Sequence, residues 1–266
     1  MSVALPMLHE EGPLAVDWQG EPIRCDSCPC SRAENAARCE PGRACVQDRY
    51  SLRITRFFGW NPRHADQFLT HPYFEVRAIA ARHANLFRLS SLLSDPDETV
   101  RGSVATRVPQ GLLRRLVNDP HREVRVRVAQ RLMPPSLVAM LKDPDYYVRV
   151  WVARRIPHTF LPRMAEDAES EVRAEVAERL SPGALGLLSR DPDPRIRRVV
   201  ARRAPATLLG ALALDPAWEV RWEIARRGSE RLCEQLSLDP EVEVRAAAEE
   251  RLAELRAPAT PERPMQ

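Results

Sequence analysis

From residue 71 onward one phrase recurs without insertion, and it constrains the fold more than any other feature of the chain. Three successive copies read DPDETVRGSVATRVPQGLLRRLVN, DPHREVRVRVAQRLMPPSLVAMLK and DPDYYVRVWVARRIPHTFLPRMAE. Aligned on the pair formed by an aliphatic residue and arginine, the anchors fall at Val76, Val100, Val124, Val148, Val172, Ile196, Val220 and Val244, one every 24 residues. Eight units in a single register imply a solenoid, in which each unit buries its apolar side against its neighbours.

The pattern inside a unit sets its elements. Val100, Val104 and Val108 stand four apart on one helical face, with Ala105 beside them, and Pro109 ends the run because it cannot continue the hydrogen-bond ladder. The same frame fits Val124, Val128 and Leu132, and then Val148, Val152 and Ile156. Asp95 has the chemistry of an N-cap and Pro96 that of a first helical residue, so the helix is expected to start at each DP pair. After the break come Leu113 and Leu116, Leu137 and Met140, Leu161 and Met164, Leu185 and Leu188, Leu209 and Leu212, a spacing of three that suits a 3₁₀ turn. A unit this short has no room for the second full helix of a ~40-residue HEAT or armadillo repeat. Nor does it carry the strand and Asn of the usual leucine-rich repeat. The expected fold is all-α, a superhelix in which long and short helices alternate.

Arg77, Arg101, Arg125, Arg149, Arg173, Arg197, Arg221 and Arg245 follow the anchors. In several copies an acid lies four residues earlier (Asp97, Asp145, Glu169, Asp193, Glu241), which predicts a ladder of ion pairs along each helix rather than a groove for a polyanion. A second column, Arg107, Arg131, Arg155, Arg179, Arg203 and Arg227, falls near helix C-termini, where cations meet the negative end of the dipole. With 40 basic and 37 acidic residues the net charge is only +3, so charge does not favour nucleic acid as partner. Departures from the repeat stand out at Tyr146, Tyr147 and Trp151 and at Trp218 and Trp222, either a contact patch or fillers between layers. Cys233 replaces a core Leu. His64, His71, His83, His121 and His158 occupy unrelated offsets, and no nucleophile, base and orienter share a spacing, so no catalytic constellation is assigned and the chain is not expected to be an enzyme.

Chemistry concentrates ahead of the repeats. In CDSCPCSRAENAARCEPGRAC, residues 25–45, five of the chain's 6 cysteines crowd together. No basic n-region opens the chain and no apolar run spans a membrane, so a cytoplasmic setting is expected, which disfavours a disulfide knot. Zinc and an iron-sulfur cluster both need four thiolates converging on one point, and both stay open on chemistry. The spacing C-x2-C-x-C-x8-C-x5-C has only one CxxC and a surplus thiol, which argues against a zinc ribbon of paired knuckles.

The repeat form DPDxxVRxxVAxRLxxxxLxxL, downstream of CDSCPC and CEPGRAC, resembles the leucine-rich repeat variant family over about residues 22–255. The resemblance implies a right-handed superhelical solenoid of alternating α and 3₁₀ helices, HEAT-like, with an N-terminal 4Fe-4S cluster; zinc is the alternative. The repeat phrase is also similar to the HEAT-like repeats of phycobilin lyases, whose units are longer. Because Cys28 and Cys30 are separated only by Pro29, two ligands there strain the chain, so the expected ligands are Cys25, Cys28, Cys39 and Cys45, with Cys30 the spare or the replacement for Cys28.

The organisation expected is an N-terminal extension (1–24), a cluster segment (25–48), capping helices (49–70), eight repeats (71–255) and a Pro-rich disordered tail (256–266). Tyr50, Ile54, Phe57 and Phe58 share the face that covers the first repeat, and Arg49, Arg53 and Arg56 are placed on the solvated side. The functional expectation is a cluster-binding scaffold for a protein partner, with a redox, electron-transfer or sensing role. The alternative is a nucleic-acid-binding superhelix with a structural metal.

Overall fold

The computed structural model describes residues 14–26, 28, 30 and 37–257. Residues 1–13 of the expected extension and 258–266 of the expected tail lie outside the described residues. The chain divides into two compact units, Met1–Met133 and Pro134–Gln266.

In the first unit helix Ser51–Trp60 and the 3₁₀ segment Pro62–Phe68 precede the repeat helices Phe74–Ala81, Glu98–Ala105 and Arg122–Arg131, joined by short helical segments. In the second the long helices are Tyr146–Arg155, Ser170–Arg179, Pro194–Arg203, Trp218–Ala225 and Val242–Arg256. Among the described residues β-pairing occurs only as isolated bridges. The eight anchor residues are 0 or 1% exposed, and the paired residues of the short segments are buried as well. Each layer therefore contributes one aliphatic row from the long helix and one from the short. Those short segments are 3₁₀ at Leu86–Leu92, Pro134–Met140, His158–Met164 and Pro182–Leu188, whereas Ala206–Leu212 and Glu230–Leu236 are α-helical. In seven residues the two ladders differ by very few hydrogen bonds, so the leucine spacing fits either.

The helix start differs from the sequence expectation. Helix Glu98–Ala105 begins two residues after Pro96, and its N-cap is Asp97, whose carboxylate accepts the Thr99 N–H at 2.8 Å. Asp145 and Asp193 cap their helices in the same way. The aspartate that opens a unit, followed by proline except at Asp167, has a different task. Asp95, Asp119, Asp143, Asp167, Asp191, Asp215 and Asp239 each accept the N–H two residues on, at 2.9–3.0 Å, forming the turn that leads into the helix.

These aspartates also receive the arginines. Arg101 does not pair with Asp97 four residues back; its Nε and Nη2 fork both oxygens of Asp119 in the next layer, at 2.7 and 2.9 Å. Arg77 does the same to Asp95, Arg149 to Asp167, Arg173 to Asp191, Arg197 to Asp215 and Arg221 to Asp239. The reason is desolvation: the capping carboxylates already hold helix N–H groups, while the DP carboxylates are buried and require a charged partner. The remaining Nη1 of Arg101 donates back to the carbonyls of Asp95 and Pro96, at 2.8 and 3.1 Å. One guanidinium thus ties the entrance of its own layer to the entrance of the next.

The second arginine column meets helix ends, as expected, but those of the preceding layer. Arg107 donates to Ala81 O and Ala84 O, both at 2.7 Å, and Arg131 to Ala105 O and Val108 O, at 2.6 and 3.1 Å. Arg227 repeats the contact on Ala201 and Ala204. The terminal carbonyls that an α-helix leaves unpaired are satisfied by the next layer's side chain. Cys233 is fully buried, a core residue as anticipated.

Candidate metal centre

The five-residue gap between Cys39 and Cys45 is a tight hairpin. Glu40 and Ala44 exchange both backbone hydrogen bonds at 2.8 Å, and Arg43 N–H donates to Glu40 O at 3.0 Å. Pro41 presets the first turn residue, and Gly42 takes the second with φ of 80°, a left-handed conformation that favours glycine. Cys39 and Cys45 are then the next opposed pair, with side chains on the same face.

Helix Ser51–Trp60 anchors this hairpin at both ends. Cys45 N–H donates to Arg53 O at 3.3 Å. Beside Cys39, the Asn61 side chain accepts the Arg38 N–H at 2.8 Å and returns its own N–H to Arg38 O at 2.7 Å. The Arg38 guanidinium lies 4.5 Å from the centre of the Trp60 ring, a cation–π contact on the same helix end. Arg53, expected in solvent, is instead buried in an ion pair with Asp48 at 3.0 Å. Asp48 is fully buried and also accepts the Tyr50 N–H at 2.8 Å, so its charge needs an internal cation. Upstream, Cys28 N–H donates to Cys25 O at 3.1 Å, and Ala37 N–H to Cys30 O at 3.1 Å.

These contacts bring Cys25, Cys28, Cys30, Cys39 and Cys45 around one cavity, whose apolar walls include Ile23, Pro41, Val46 and Phe57. Cys28, Cys30 and Cys45 are buried, Cys25 and Cys39 are exposed, and all are free thiols. Three of the thiols resist ionisation. Cys30 is pushed up by its hydrogen bond with Cys28 and by burial. Burial raises Cys39, helped by the neighbouring Cys28 and Cys25. Cys45 is pushed up to about 11 by burial, against the pull of the Gln47 and Asp48 backbone N–H groups. Converging thiolates disfavour one another in a low-dielectric pocket, and a bound cation reverses that balance. Among the described residues no group of three or more Cys, His, Asp or Glu side chains forms a ready site for a single metal ion.

Residues 15–67 match the family profile described as LRV protein FeS4 cluster, and residues 171–193 match that of the leucine rich repeat variant. A solved structure described as a leucine-rich repeat variant with a novel repetitive protein structural motif is 40% identical, and the superposition covers 86% of this chain and 99% of that one with a TM-score of 0.79. The chain belongs to the leucine-rich repeat variant family. A Rhodobacter capsulatus protein, described as an uncharacterized 27.7 kDa protein in the nifB 3' region, is 46% identical over 99 residues. That stretch is 37% of this chain and 40% of the relative, so the match spans less than half of it.

Membership explains the alternation of α and 3₁₀ segments, and the match over 15–67 suggests an iron-sulfur cluster in the variant's cysteine segment. No helix among the described residues is long and apolar enough to cross a membrane. All five cysteines singled out from the sequence share the cavity, Cys30 included. Sequence reasoning missed Asn61, Phe57 as a wall, and the backbone donors to Cys45. Asn61 had a weak signal, since an Asn before Pro62 ends the helix and is free to turn its amide outward.

Proposed function

We propose that this leucine-rich repeat variant binds a 4Fe-4S cluster through Cys25, Cys28, Cys39 and Cys45, with Cys30 the spare thiol, and that its repeats form a scaffold for a protein partner. The observation that carries the reading is the convergence of five thiols on one apolar-walled cavity inside the segment matched to the cluster profile. Thiols spread around a cavity suit a multi-atom group better than a single zinc, which needs four donors at one point. When bound, such a cluster supplies a one-electron couple tuned by its hydrogen bonds, burial and exposure.

The chain's own residues would do the tuning. Gln47 and Asp48 direct backbone N–H groups at the Cys45 sulfur and favour its thiolate. Phe57, Ile23 and Val46 keep water from the inner side, while Cys25 and Cys39 reach the surface and leave an edge for electron transfer or sensing. Unbridged thiols fit a reducing compartment such as the cytoplasm. A nucleic-acid partner gains no support from the ladder arginines, whose forks are taken by aspartates inside the fold.

Anaerobic purification followed by iron and acid-labile sulfide analysis tests the reading. About four of each per chain is expected. Stoichiometric zinc without sulfide would overturn it.

A further inference from the structure

Two layers of the second unit carry a feature that stacking does not require. An open cavity of about 250 Å³ is lined by Arg198, Trp218, Glu219, Trp222 and Glu243. Positions equivalent to Trp218 in other repeats hold Phe74, Glu98, Arg122, Tyr146, Ser170, Pro194 and Val242, and those equivalent to Trp222 include Gly102, Ala174 and Ala246, so the layers close without tryptophan there. Trp218 is 39% exposed.

The two rings differ in what they hold. Trp222 already has guanidinium groups over it, Arg226 at 4.7 Å and Arg198 at 5.7 Å from its centre. Arg198 is neutralised by the buried Glu223 at 3.0 Å. No cation lies over Trp218 among the described residues, and the carboxylates of Glu219 and Glu243 beside it make no hydrogen bond or ion pair there. These two glutamates occupy the same repeat position in consecutive layers. The preceding member of that column, Arg195, is turned to Asp193 at 2.7 Å. An unoccupied indole face next to two unpaired carboxylates is complementary to a planar cation that stacks and hydrogen-bonds at once, which is the chemistry of arginine.

We propose that Trp218, Glu219, Trp222 and Glu243 form a binding site for an arginine side chain presented by a partner polypeptide. The guanidinium stacks on Trp218, and its N–H groups donate to the two carboxylates, as Arg226 and Arg198 already stack on Trp222. The site does not depend on the cysteine segment. At this size it takes one side chain rather than a larger ligand, which needs several hundred Å³.

The test titrates the full chain with the capped tripeptide Ac-Gly-Arg-Gly-amide, following the indole N–H signals by NMR, alongside versions in which arginine is replaced by neutral citrulline or by lysine. A saturable shift at Trp218 and Trp222 with the arginine peptide alone is expected. Trp218→Ala and the double variant Glu219→Gln/Glu243→Gln should each weaken binding about fivefold or more, with Trp218→Phe intermediate and all melting temperatures near wild type. Absence of a saturable shift, equal binding of the citrulline or lysine peptide, or undiminished affinity in both Trp218→Ala and the double variant would each overturn the proposal.

Discussion

The repeats and the cysteine segment solve the same problem, hiding apolar and polar groups together, in opposite ways. Most repeats reuse one set of contacts: an aliphatic anchor, an arginine forked onto the next unit's opening aspartate, and a second arginine on the preceding helix end. Each layer therefore completes its neighbour, and the loss of one contact leaves many copies intact. The cysteine segment has no such redundancy. Its hairpin depends on single contacts from Asn61, Arg53 and Gly42, and it gathers thiols whose ionisation is mutually unfavourable. Repetition supplies stability to the one, whereas the other gathers groups that a bound cluster would compensate.

The comparison breaks most visibly at the thiols. Cys39→Ala should reduce iron and sulfide to near zero while the far-UV helical signal of the repeats persists; Cys30→Ala should keep the cluster. Loss of helix with Cys39→Ala would show that the two regions are not separable in this way.

Next in size is the ladder. Arg197→Ala leaves the buried Asp215 without its fork and should cost about 3 kcal/mol in urea unfolding. Arg245 is the internal control, because it donates to Asp239 O and Pro240 O but forks no carboxylate among the described residues. Arg245→Ala should cost roughly a third as much, about 1 kcal/mol. Equal costs would mean that the carbonyl contacts, not the forks, carry the ladder.

Asn61→Ala removes both hydrogen bonds to Arg38 and should lower stability by about 2 kcal/mol. Iron would be lost faster to a chelator, with the repeats unaffected. Retention at the wild-type rate would separate the Asn61 clamp from the cysteine cavity.

The smallest effect is acid sensitivity. The Arg221 fork holds the Asp239 carboxyl below its ordinary range, so its stabilisation is present above about pH 4 and lost as pH falls through the depressed folded value. Asp239→Asn should flatten the acid limb of the stability profile and leave the shape above pH 5 unchanged, as read from urea midpoints across that range.

Much of this was legible in the order of residues, and the limits follow from distance along the chain. Val100, Val104 and Val108 face one side of a helix whatever surrounds them, because that depends on local geometry alone. The five thiols pointed to a candidate metal centre because so few other roles suit them at that density. The partner of Arg101 was not legible: the acid four residues back is closer in sequence, but Asp119 is buried and Asp97 is engaged as a cap. The start of the helix moved for the same reason, since the DP carboxylate was taken by the preceding layer's arginine.

The sequence by itself determined the period, the buried anchors, the alternation of long and short helices, and the place of the candidate metal centre. These follow from spacing, which local backbone geometry converts directly into faces and breaks. The tertiary structure alone decided which arginine meets which aspartate, that Arg53 is buried, that Asn61 holds Arg38, and that Trp218 stands open beside two carboxylates. Those pairings depend on which groups lose their water when layers close, and that is a property of the stack rather than of any one repeat.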